Sequence, residues 1–419
     1  MFEDRLLLVR SFHKTMSDNQ RDPREVTNNA ALLEFADNFA IPPVPRARMR
    51  HKSGIRRSCF FPAYAPYVQM LKLHNHYLKP NVFSTPEAEY WQIRNSAGLL
   101  DVTGEEVIAI EGPDALALMN SLVPRDLEKL ADGHALYCVM CYDHGGIVED
   151  AILVRFDEQK LWWVGGPGYS EQWIYGHSLG REVTVTGHND SLHVASLQGP
   201  ESRDILTELA DFDAETLPVF GVGEGSIAGV EATVTRTGYT AELGYDIYVD
   251  VRTGERLFAA LFDAVSARGG GLCGSAALNL RRMDAAILNF TEDFDWQHTP
   301  YDVGLGWMVD AEKSADFTGR TALEARAAQE PAQKLVGLRL DDEVPLDPGT
   351  RLSLNGEEVG EITSATRSPA LEHKIALGWV ASKAARVGTV LEVLLDDVSA
   401  AAVVVKKPFL DPKRKLMRA

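Results

Sequence analysis

The segment from Leu136 to Phe156, LYCVMCYDHGGIVEDAILVRF, constrains the fold more than any other stretch of the chain. Two runs rich in β-branched and aromatic residues flank the tetrapeptide DHGG at 143–146, and this combination predicts a β-hairpin. Glu149 and Asp150 interrupt the second run, which is otherwise apolar. Because side chains alternate between the two faces of a strand, we expect one of these carboxylates to point towards the covered face.

A carboxylate on the covered face of a strand is a candidate for function. Its desolvation is unfavourable by several kcal/mol unless a hydrogen-bond donor compensates the charge, and folding alone gives no reason to place it there. The alternative is an exposed acidic pair at the end of a strand. The spacing by itself does not separate these two interpretations.

Composition limits the classes of function. With 419 residues, 45% of them hydrophobic and 24% charged, the chain can form two or three domains with their own cores. A net charge of -18 argues against nucleic acid or an anionic membrane as the main partner, since both bind clustered cations. No apolar stretch approaches the length of a membrane span, and the first residues, MFEDRLLLVRSFHKTMSDNQRD, lack a signal peptide's features. We therefore expect a cytoplasmic protein.

The cysteines predict neither disulfides nor a metal site. Four cysteines at positions 59, 138, 141 and 273 give no disulfide framework, which fits a reducing compartment. Cys138 and Cys141 form a C-x-x-C motif, but an offset of three residues in a strand places the two thiols on opposite faces. No second pair of cysteines is available to complete four metal ligands.

The hairpin and its flanking motifs resemble the tetrahydrofolate-binding aminomethyltransferase family, whose founding member is the T-protein of glycine cleavage. GGIVEDAILVRF is similar to the GGI(V/L)DDLIV segment of that family. Further motifs follow in the family's order from about Phe60 to the C-terminal end: EY at 89–90, IRNSAGLLDV at 93–102, LQGP at 197–200, GYT at 238–240, TP at 299–300, GLGW at 304–307, DFTG at 316–319, GEITS at 360–364 and KPF at 407–409. Each motif is weak alone, and the series is strong.

The resemblance implies a multidomain α+β fold with mixed and antiparallel sheets and a C-terminal β-barrel. Short strands are predicted at 161–164, 182–186, 191–197, 226–235 and 244–249, and from about residue 334 short strands alternate with turns. Helices are predicted at 80–101, 170–179, 200–209, 254–268 and 276–288, the first with Ser84 as its N-cap. We divide the chain into an N-terminal arm (1–58), a folate-binding catalytic region of two α+β subdomains (59–333) and the barrel (334–419).

The N-terminal arm is rich in proline and in basic residues, which are Arg46, Arg48, Arg50, His51, Lys52, Arg56 and Arg57. We expect it to lie over an acidic surface of the protein or of a partner subunit. Alternatively, one of its arginines reaches the active site and binds a substrate carboxylate.

The resemblance also implies which residues bind tetrahydrofolate. The second acid of the family's motif holds the folate near its reactive nitrogen, and here that position is Asp150. Tyr137, 13 residues earlier, falls on the partner strand, where the family has a folate-contacting tyrosine. Tyr239 and Asp246 match a tyrosine and a pterin-binding acid, although that acid is usually glutamate. Tyr248 shares a strand face with Asp246 and can border the same cavity; the alternative for each tyrosine is an aromatic residue that fills a sheet.

Other motifs point to a demethylase subgroup. HNHYLKP at 74–80 resembles a segment of dimethylsulfoniopropionate demethylases, and VPRDLEKL at 123–130 points the same way. His74 and His76 would share a pocket wall if both lay on one strand, and ordinary loop histidines are the alternative. Leu278 stands where the T-protein has an arginine, and DVTGEE replaces its DVSHMG. Both differences argue against glycine cleavage.

The expected function is a tetrahydrofolate-dependent methyltransferase that demethylates a small methoxy-aromatic acid and forms 5-methyltetrahydrofolate, as in dicamba or vanillate demethylases. A departing oxygen needs a hydrogen bond or a proton, for which His76, His298 and Tyr248 are candidates, with Asp150 orienting the folate. A methylsulfonium donor is one alternative, since a sulfide leaves without a proton.

Two further alternatives follow from the same family. One is an aminomethyltransferase that works with a lipoyl carrier protein. The other is a non-enzymatic folate-binding assembly factor. Such factors carry a KGCYxGQE signature, and the corresponding segment of this chain, SADFTGR at 314–320, has no cysteine. We expect a small-molecule methyl donor as the main partner, and a homo-oligomer is compatible with the sequence.

Overall fold

The computed structural model describes residues 25–26, 54–166, 169–341, 344–395 and 399–419. Most of the predicted N-terminal arm, including Arg46, Arg48 and Arg50, lies outside these residues. Within them the β-strands form three open sheets and one closed barrel. No helix in this part of the chain is long and apolar enough to cross a membrane.

A small sheet carries the histidine motif. Its strands, in spatial order, are Glu25–Val26, Met70–His74, Tyr77–Val82 and Arg56–Arg57. The central pair is a hairpin whose turn consists of Asn75 and His76, with φ angles of 45° and 67°. His74 ends one strand and His76 lies in the turn. The expectation that both share one strand face is therefore wrong.

The segment from Leu136 to Phe156 forms the predicted hairpin within a five-stranded antiparallel sheet. The spatial order of this hairpin sheet is Thr184–Gly187, Glu106–Glu111, Lys160–Gly165, Ile147–Arg155 and His134–Cys141. In the register of the hairpin, Tyr137 pairs with Ile152 and Val139 pairs with Asp150, so all four share one face. Cys138 and Cys141 belong to different hydrophobic cores, which confirms that their thiols lie on opposite faces.

A six-stranded sheet, called here the second sheet, packs face to face against the hairpin sheet. Its spatial order is Val222–Ile227, Val230–Thr235, Gly244–Asp250, Leu192–Gln198, Gly98–Asp101 and Gly271–Leu272. The predicted strand at 226–235 is thus two strands joined by a turn. Trp162 and Val164 of the hairpin sheet share a buried cluster with Val194 and Tyr248 of the second sheet. This layer between the sheets contains the candidate site.

Helices cover the outer faces of the two sheets and connect the strands. They are Phe61–Tyr64, Pro86–Asn95, Ala115–Asn120, Ser170–Ser178, Ser202–Leu209, Gly254–Ala267, Ser275–Asp284 and Arg320–Ala327. The helix predicted at 80–101 is shorter than expected because strands occupy both of its predicted ends. Its N-cap is Thr85 and not Ser84, since the Thr85 hydroxyl oxygen accepts from the amide of Ala88 at 3.2 Å.

The C-terminal strands close into the predicted barrel. Their order around the barrel is Gln333–Leu340, Lys374–Ala381, Glu357–Arg367, Arg351–Leu354, Val390–Leu394 and Ser399–Val405. Leu377 and Trp379 on its outer surface share a buried cluster with Val139 and Ile147 of the hairpin. The expected α+β fold with a C-terminal barrel is confirmed, and the domain boundaries at residues 58 and 333 stay predictions.

Candidate functional site

Asp150 projects from the hairpin into the layer between the two sheets. Its Oδ2 accepts a hydrogen bond of 2.6 Å from the hydroxyl of Tyr137 on the partner strand. Burial raises the pKa of Asp150 to about 6, against the opposing effect of that hydrogen bond. The carboxyl group can therefore gain or lose a proton near neutral pH.

Glu149 points to the other face of the same strand and is only 1% exposed. Its Oε2 accepts from the indole nitrogen of Trp163 at 3.2 Å and from the hydroxyl of Ser170. Both acids of the pair are thus covered, on opposite faces, and an exposed acidic pair is the wrong interpretation. The partners of Glu149 give it a structural task, whereas Asp150 faces the layer between the sheets.

Asp246 is held by two hydroxyl groups, one on a neighbouring strand of the second sheet and one in the loop after strand Val230–Thr235. Ser196 donates to its Oδ1 and Thr237 donates to its Oδ2, both at 2.6 Å. Burial raises the pKa of this carboxyl group. The sequence did not reveal these partners, because strand pairing places Ser196 opposite Asp246 and brings the loop after Thr235, with Thr237, beside it.

Tyr248 is joined to Asp246 by a chain of hydroxyl groups. The Tyr248 hydroxyl lies 3.3 Å from Oγ1 of Thr235, which lies 2.6 Å from Oγ1 of Thr237, the donor to Asp246. The phenol is 2% exposed and packs edge-on against Trp162 with 5.5 Å between ring centroids. Burial and the charge of Asp246 raise the pKa of Tyr248, so the phenol is protonated at neutral pH and can donate a hydrogen bond.

Tyr239 presents its ring and not its hydroxyl to the site. Its hydroxyl donates to the backbone carbonyl of Leu288. Burial raises the pKa of Tyr239, and the negative charge of Asp150 adds to this effect. Burial raises the pKa of Tyr137, and the charges of Asp150 and, to a smaller extent, Tyr239 add to this effect.

Glu105 is the central acid of the site and was missed by the sequence interpretation. It lies in the loop before strand Glu106–Glu111. Burial raises the pKa of Glu105 to about 7, while the charge of Lys79 lowers it and the charges of Asp246 and Asp150 raise it. Glu105 is half-buried, and its charge interacts with those of Asp246 and Asp150. The name acidic site is used here for Glu105, Tyr137, Asp150, Tyr239, Asp246 and Tyr248.

The two candidate histidines line other surfaces. His76 borders a small pocket with Arg56, Tyr77 and Glu106, a pocket that Asp150 and Asp246 do not line. His298 borders a groove of about 490 Å³ on the barrel. Its ring stacks on Trp379 at a centroid distance of 4.3 Å, and its Nδ1 lies 2.9 Å from a carboxylate oxygen of Asp295.

The residues of the acidic site fit a reduced folate. A pterin ring carries N–H groups, and Asp150 and Asp246 are half-buried acceptors whose pKa is raised by desolvation. The rings of Tyr137 and Tyr239 provide aromatic surface beside these acceptors. These same four residues were predicted to bind folate, and their role in binding stays a prediction.

Comparisons with known proteins match most of the chain to the glycine cleavage T-protein and its relatives. Residues 45–313 match the GCVT N-terminal domain, and residues 333–411 match the glycine cleavage T-protein C-terminal barrel domain. An aminomethyltransferase of Thermotoga petrophila is 34% identical over 334 residues, covering 79% of this chain and 91% of its own length. A trimethylamine-oxide aldolase of Ruegeria pomeroyi is 33% identical over 375 residues, covering 86% of this chain and 47% of its own length.

A solved structure shows the same fold. The crystal structure of glycine cleavage system aminomethyltransferase T from Bartonella henselae has a TM-score of 0.80 at 24% identity, covering 85% of this chain and 98% of that one. Aminomethyltransferases of this family act with tetrahydrofolate. Since the two matched domains together span most of its length, the chain belongs to the glycine cleavage T-protein (GCVT) family of folate-dependent aminomethyltransferases.

Proposed function

We propose that this protein is a tetrahydrofolate-dependent demethylase that acts on a small methoxy-aromatic acid and forms 5-methyltetrahydrofolate and a phenol. When bound, tetrahydrofolate supplies the nitrogen that accepts the methyl group. The net reaction breaks a methyl carbon–oxygen bond, forms a methyl carbon–nitrogen bond and moves one proton from that nitrogen to the departing oxygen. The protein must therefore orient the two molecules, stabilise the departing oxygen and handle one proton.

The observation that carries this proposal is the buried phenol of Tyr248. A departing aryloxide develops negative charge, and a preorganised O–H donor in a water-poor site stabilises that charge. Tyr248 is protonated, and its 3.3 Å contact with Oγ1 of Thr235 is long for a bond between two hydroxyls, so its proton can turn to a departing oxygen. Of the three donors predicted from the sequence, Tyr248 alone lies in the acidic site, because His76 and His298 line other pockets.

Asp150 is suited to accept the proton that the folate loses and to orient the folate. Its pKa of about 6 lets the carboxylate accept the proton that the methyl-accepting nitrogen loses. The hydrogen bond from Tyr137 fixes one carboxylate oxygen and thus the direction of the other. Precise orientation of two reactants alone accounts for a large part of many rate enhancements.

A methylated cation is the second candidate donor. Glu105 interacts electrostatically with Asp150 and Asp246, and a sulfonium or ammonium group beside these three carboxylates would stabilise their ionised forms. One relative is named trimethylamine-oxide aldolase, and trimethylamine oxide is a methylated amine oxide. Such a donor leaves without a proton, so it would not depend on Tyr248.

Aminomethyl transfer from a lipoyl carrier protein is the third candidate reaction, since several relatives are named aminomethyltransferase. In this chain Leu278 occupies the position where the T-protein of glycine cleavage has an arginine. Its side chain packs against the apolar cluster between the sheets and offers no charge there. We therefore place demethylation first.

The test is incubation with tetrahydrofolate and a panel of methoxy-aromatic acids and methylsulfonium compounds, with 5-methyltetrahydrofolate as the readout. Tyr248→Phe should slow transfer from an ether by about 10²- to 10⁴-fold, the usual effect of losing an acid catalyst, and barely affect a sulfonium. Tyr245→Phe is the matched control, because Tyr245 lies on the same strand but points into the core of the opposite face. Wild-type transfer from an ether by Tyr248→Phe would refute the role of this phenol.

A further inference from the structure

Gln198 is a buried amide that the proposed mechanism does not use. It is the last residue of strand Leu192–Gln198, belongs to the motif LQGP at 197–200 and is 0% exposed. A buried carboxamide has two N–H donors and one oxygen acceptor, and each of them needs a partner. The partners of Gln198 therefore show which groups this side chain holds in place.

The amide nitrogen of Gln198 contacts both residues that donate to Asp246. It donates to the hydroxyl oxygen of Ser196 at 2.9 Å and to the backbone carbonyl of Thr237 at 3.1 Å. Ser196 and Thr237 in turn donate their hydroxyl protons to the two oxygens of Asp246, each at 2.6 Å. One amide group thus fixes both donors of this carboxylate.

The amide oxygen of Gln198 holds the loop that carries Tyr239. It accepts from the hydroxyl of Thr240 at 2.6 Å. The backbone amide of Glu242 donates to the same hydroxyl oxygen at 3.2 Å, so the Thr240 proton is left for Gln198. Because the carbonyl of Thr237 can only accept, the nitrogen of the Gln198 amide must face it, and the oxygen must face Thr240.

Two glycines leave the space that this amide occupies. A Cβ atom on Gly238 would lie 2.2 Å from both the nitrogen and the oxygen of the Gln198 amide, and one on Gly244 would lie 2.4 Å from its oxygen. These distances are well below van der Waals contact, so a side chain at either position would displace the amide. Gly238 belongs to the motif GYT, and Gly244 pairs with Gln198 across two strands. The motifs LQGP and GYT are therefore parts of one arrangement.

The hydrogen bond from Gln198 also sets the direction of the Ser196 proton. Since an N–H group already points at the hydroxyl oxygen of Ser196, the hydroxyl gives its own proton to Asp246. Donors to both oxygens of a carboxyl group favour its ionised form. An ionised carboxylate is the better acceptor for the N–H groups of a pterin ring.

We propose that Gln198 is a positioning residue of the folate site, which directs the Ser196 hydroxyl and the loop 237–240 onto Asp246 and so keeps this carboxylate as an ionised acceptor for the pterin ring. The inference rests on the proposed function only in that Asp246 binds the folate, and the identity of the methyl donor does not enter it. Burial raises the pKa of Asp246 and the two hydroxyl donors oppose this effect, so loss of the amide should raise that pKa further.

The experiment measures the affinity of the full chain for 5-methyltetrahydrofolate by calorimetry between pH 5 and pH 8. Affinity should fall as the pH drops through the pKa of Asp246, and in Gln198→Met this fall should begin about one pH unit higher than in wild type. The variant should then bind about tenfold more weakly at pH 5 and within about threefold of wild type at pH 8. Gln172→Met is the control, because Gln172 is exposed on helix Ser170–Ser178.

Other titratable groups contribute equally to every variant. Glu105 and Tyr248 interact electrostatically with Asp246, and Asp150 interacts with Glu105. None of these three residues is changed, so the difference between a variant and wild type reports the protonation of Asp246.

Two further variants distinguish positioning from a general loss of packing. Gly238→Ala keeps the amide of Gln198 but displaces it, so it should produce the same shift of the pH profile. Gly176→Ala should produce none, because its Cβ atom would have no neighbour within 4 Å. In a Ser196→Ala background, Gln198→Met should shift the profile less than it does alone, since the amide acts in part through that hydroxyl.

The outcomes separate this inference from the proposed function. The expected shift, with no methyl transfer from any donor, would support the role of Gln198 and refute the demethylase. A folded Gln198→Met protein that binds 5-methyltetrahydrofolate as wild type does at every pH would overturn the inference even if transfer occurs. A loss of affinity that is equal at every pH would overturn it too. Circular dichroism and thermal melting show whether each variant folds; if Gln198→Met does not, an unshifted profile in Gly238→Ala refutes the assignment.

Discussion

At the residue scale, Asp150 lies in the proposed site, and its ionised carboxylate lowers the stability of the fold at neutral pH. Its half-buried carboxylate accepts from the hydroxyl of Tyr137, and its pKa of about 6 lies above that of an exposed aspartate. The folded state therefore binds a proton more tightly than the unfolded state does. The stability that this provides is complete at low pH and is lost as the pH rises through about 6.

Asp150→Asn should therefore stabilise the fold while it removes activity. An amide keeps the acceptor for Tyr137 and carries no charge, so unfolding at pH 8 should cost about 1–3 kcal/mol more than in wild type. This difference should shrink towards pH 4. Methyl transfer should fall by about 10²-fold or more, as expected when a proton acceptor is lost.

The measurement is chemical unfolding at pH 4, 6 and 8 together with the rate of 5-methyltetrahydrofolate formation. Asp143→Asn is the matched control, because Asp143 is an exposed acid in the turn of the same hairpin. It should change neither quantity. A folded Asp150→Asn enzyme with normal turnover would remove Asp150 from the catalytic site.

At the scale of elements, a buried ion-pair network joins helix Ser275–Asp284 to the barrel. Arg282 contacts Oδ2 of Asp293 at 2.6 Å, and both side chains are almost fully buried. The other oxygen of Asp293 accepts from Thr363 and Ser364 on the longest barrel strand, each at 2.7 Å. One carboxylate thus holds the helix and the barrel in a fixed relation beside the acidic site.

Asp293→Ala should destabilise the protein by about 3–5 kcal/mol, because it leaves the buried charge of Arg282 without its main partner. Urea unfolding at neutral pH measures this change in the free energy of unfolding. Glu361→Ala is the control: its ion pair with Arg351 spans 2.9 Å but is exposed, and its loss should cost less than about 1 kcal/mol. Equal effects of the two variants would mean that the network does not hold the elements together.

The elements that could be predicted from the sequence are those with local signals. The hairpin at 136–156 has a glycine-rich turn between two strand-like runs, so the sequence predicts that Tyr137 lies on the strand that pairs with that of Asp150. The structure confirms this pairing. The helix at 86–95 was predicted too long because its flanking strands also contain apolar residues at helical spacing. His76 was misplaced because nothing local shows that the strand ends at His74 and that two residues with positive φ follow.

The acidic site could be predicted only in part. Asp150, Tyr137, Tyr239, Asp246 and Tyr248 were proposed from motif spacing and strand alternation. In the structure Tyr137 donates to Asp150, and a chain of hydroxyls links Tyr248 to Asp246. The donors to Asp246 depend on which strands become neighbours. Such contacts between distant parts of the chain carry no local signal.

At the scale of the whole molecule, the site depends on all layers of the fold. Its residues come from the hairpin sheet, from the second sheet with the loop after strand Val230–Thr235, and from the loop that carries Glu105. The barrel closes one side, since Leu335, Ile375 and Leu377 pack with Val139 and Cys141 beneath the hairpin. The acidic site therefore lies within the protein, although the net charge of -18 shows that acids are also abundant elsewhere.

The distribution of potential ligands across the whole chain leads to the last prediction, that methyl transfer needs no metal ion. No group of three or more histidine, cysteine or acidic side chains that could hold an ion occurs in the part of the chain that the structure describes. Asp150 and Asp246 already accept hydrogen bonds from tyrosine, serine and threonine hydroxyls, which occupy the positions that a cation would take. Exhaustive treatment with EDTA, followed by gel filtration into metal-free buffer, should leave the rate of 5-methyltetrahydrofolate formation unchanged. A rate that collapses on chelation and returns with one particular metal would show that the acidic site binds a cation during turnover, and the roles given to Asp150 and Tyr248 would then have to be reassigned.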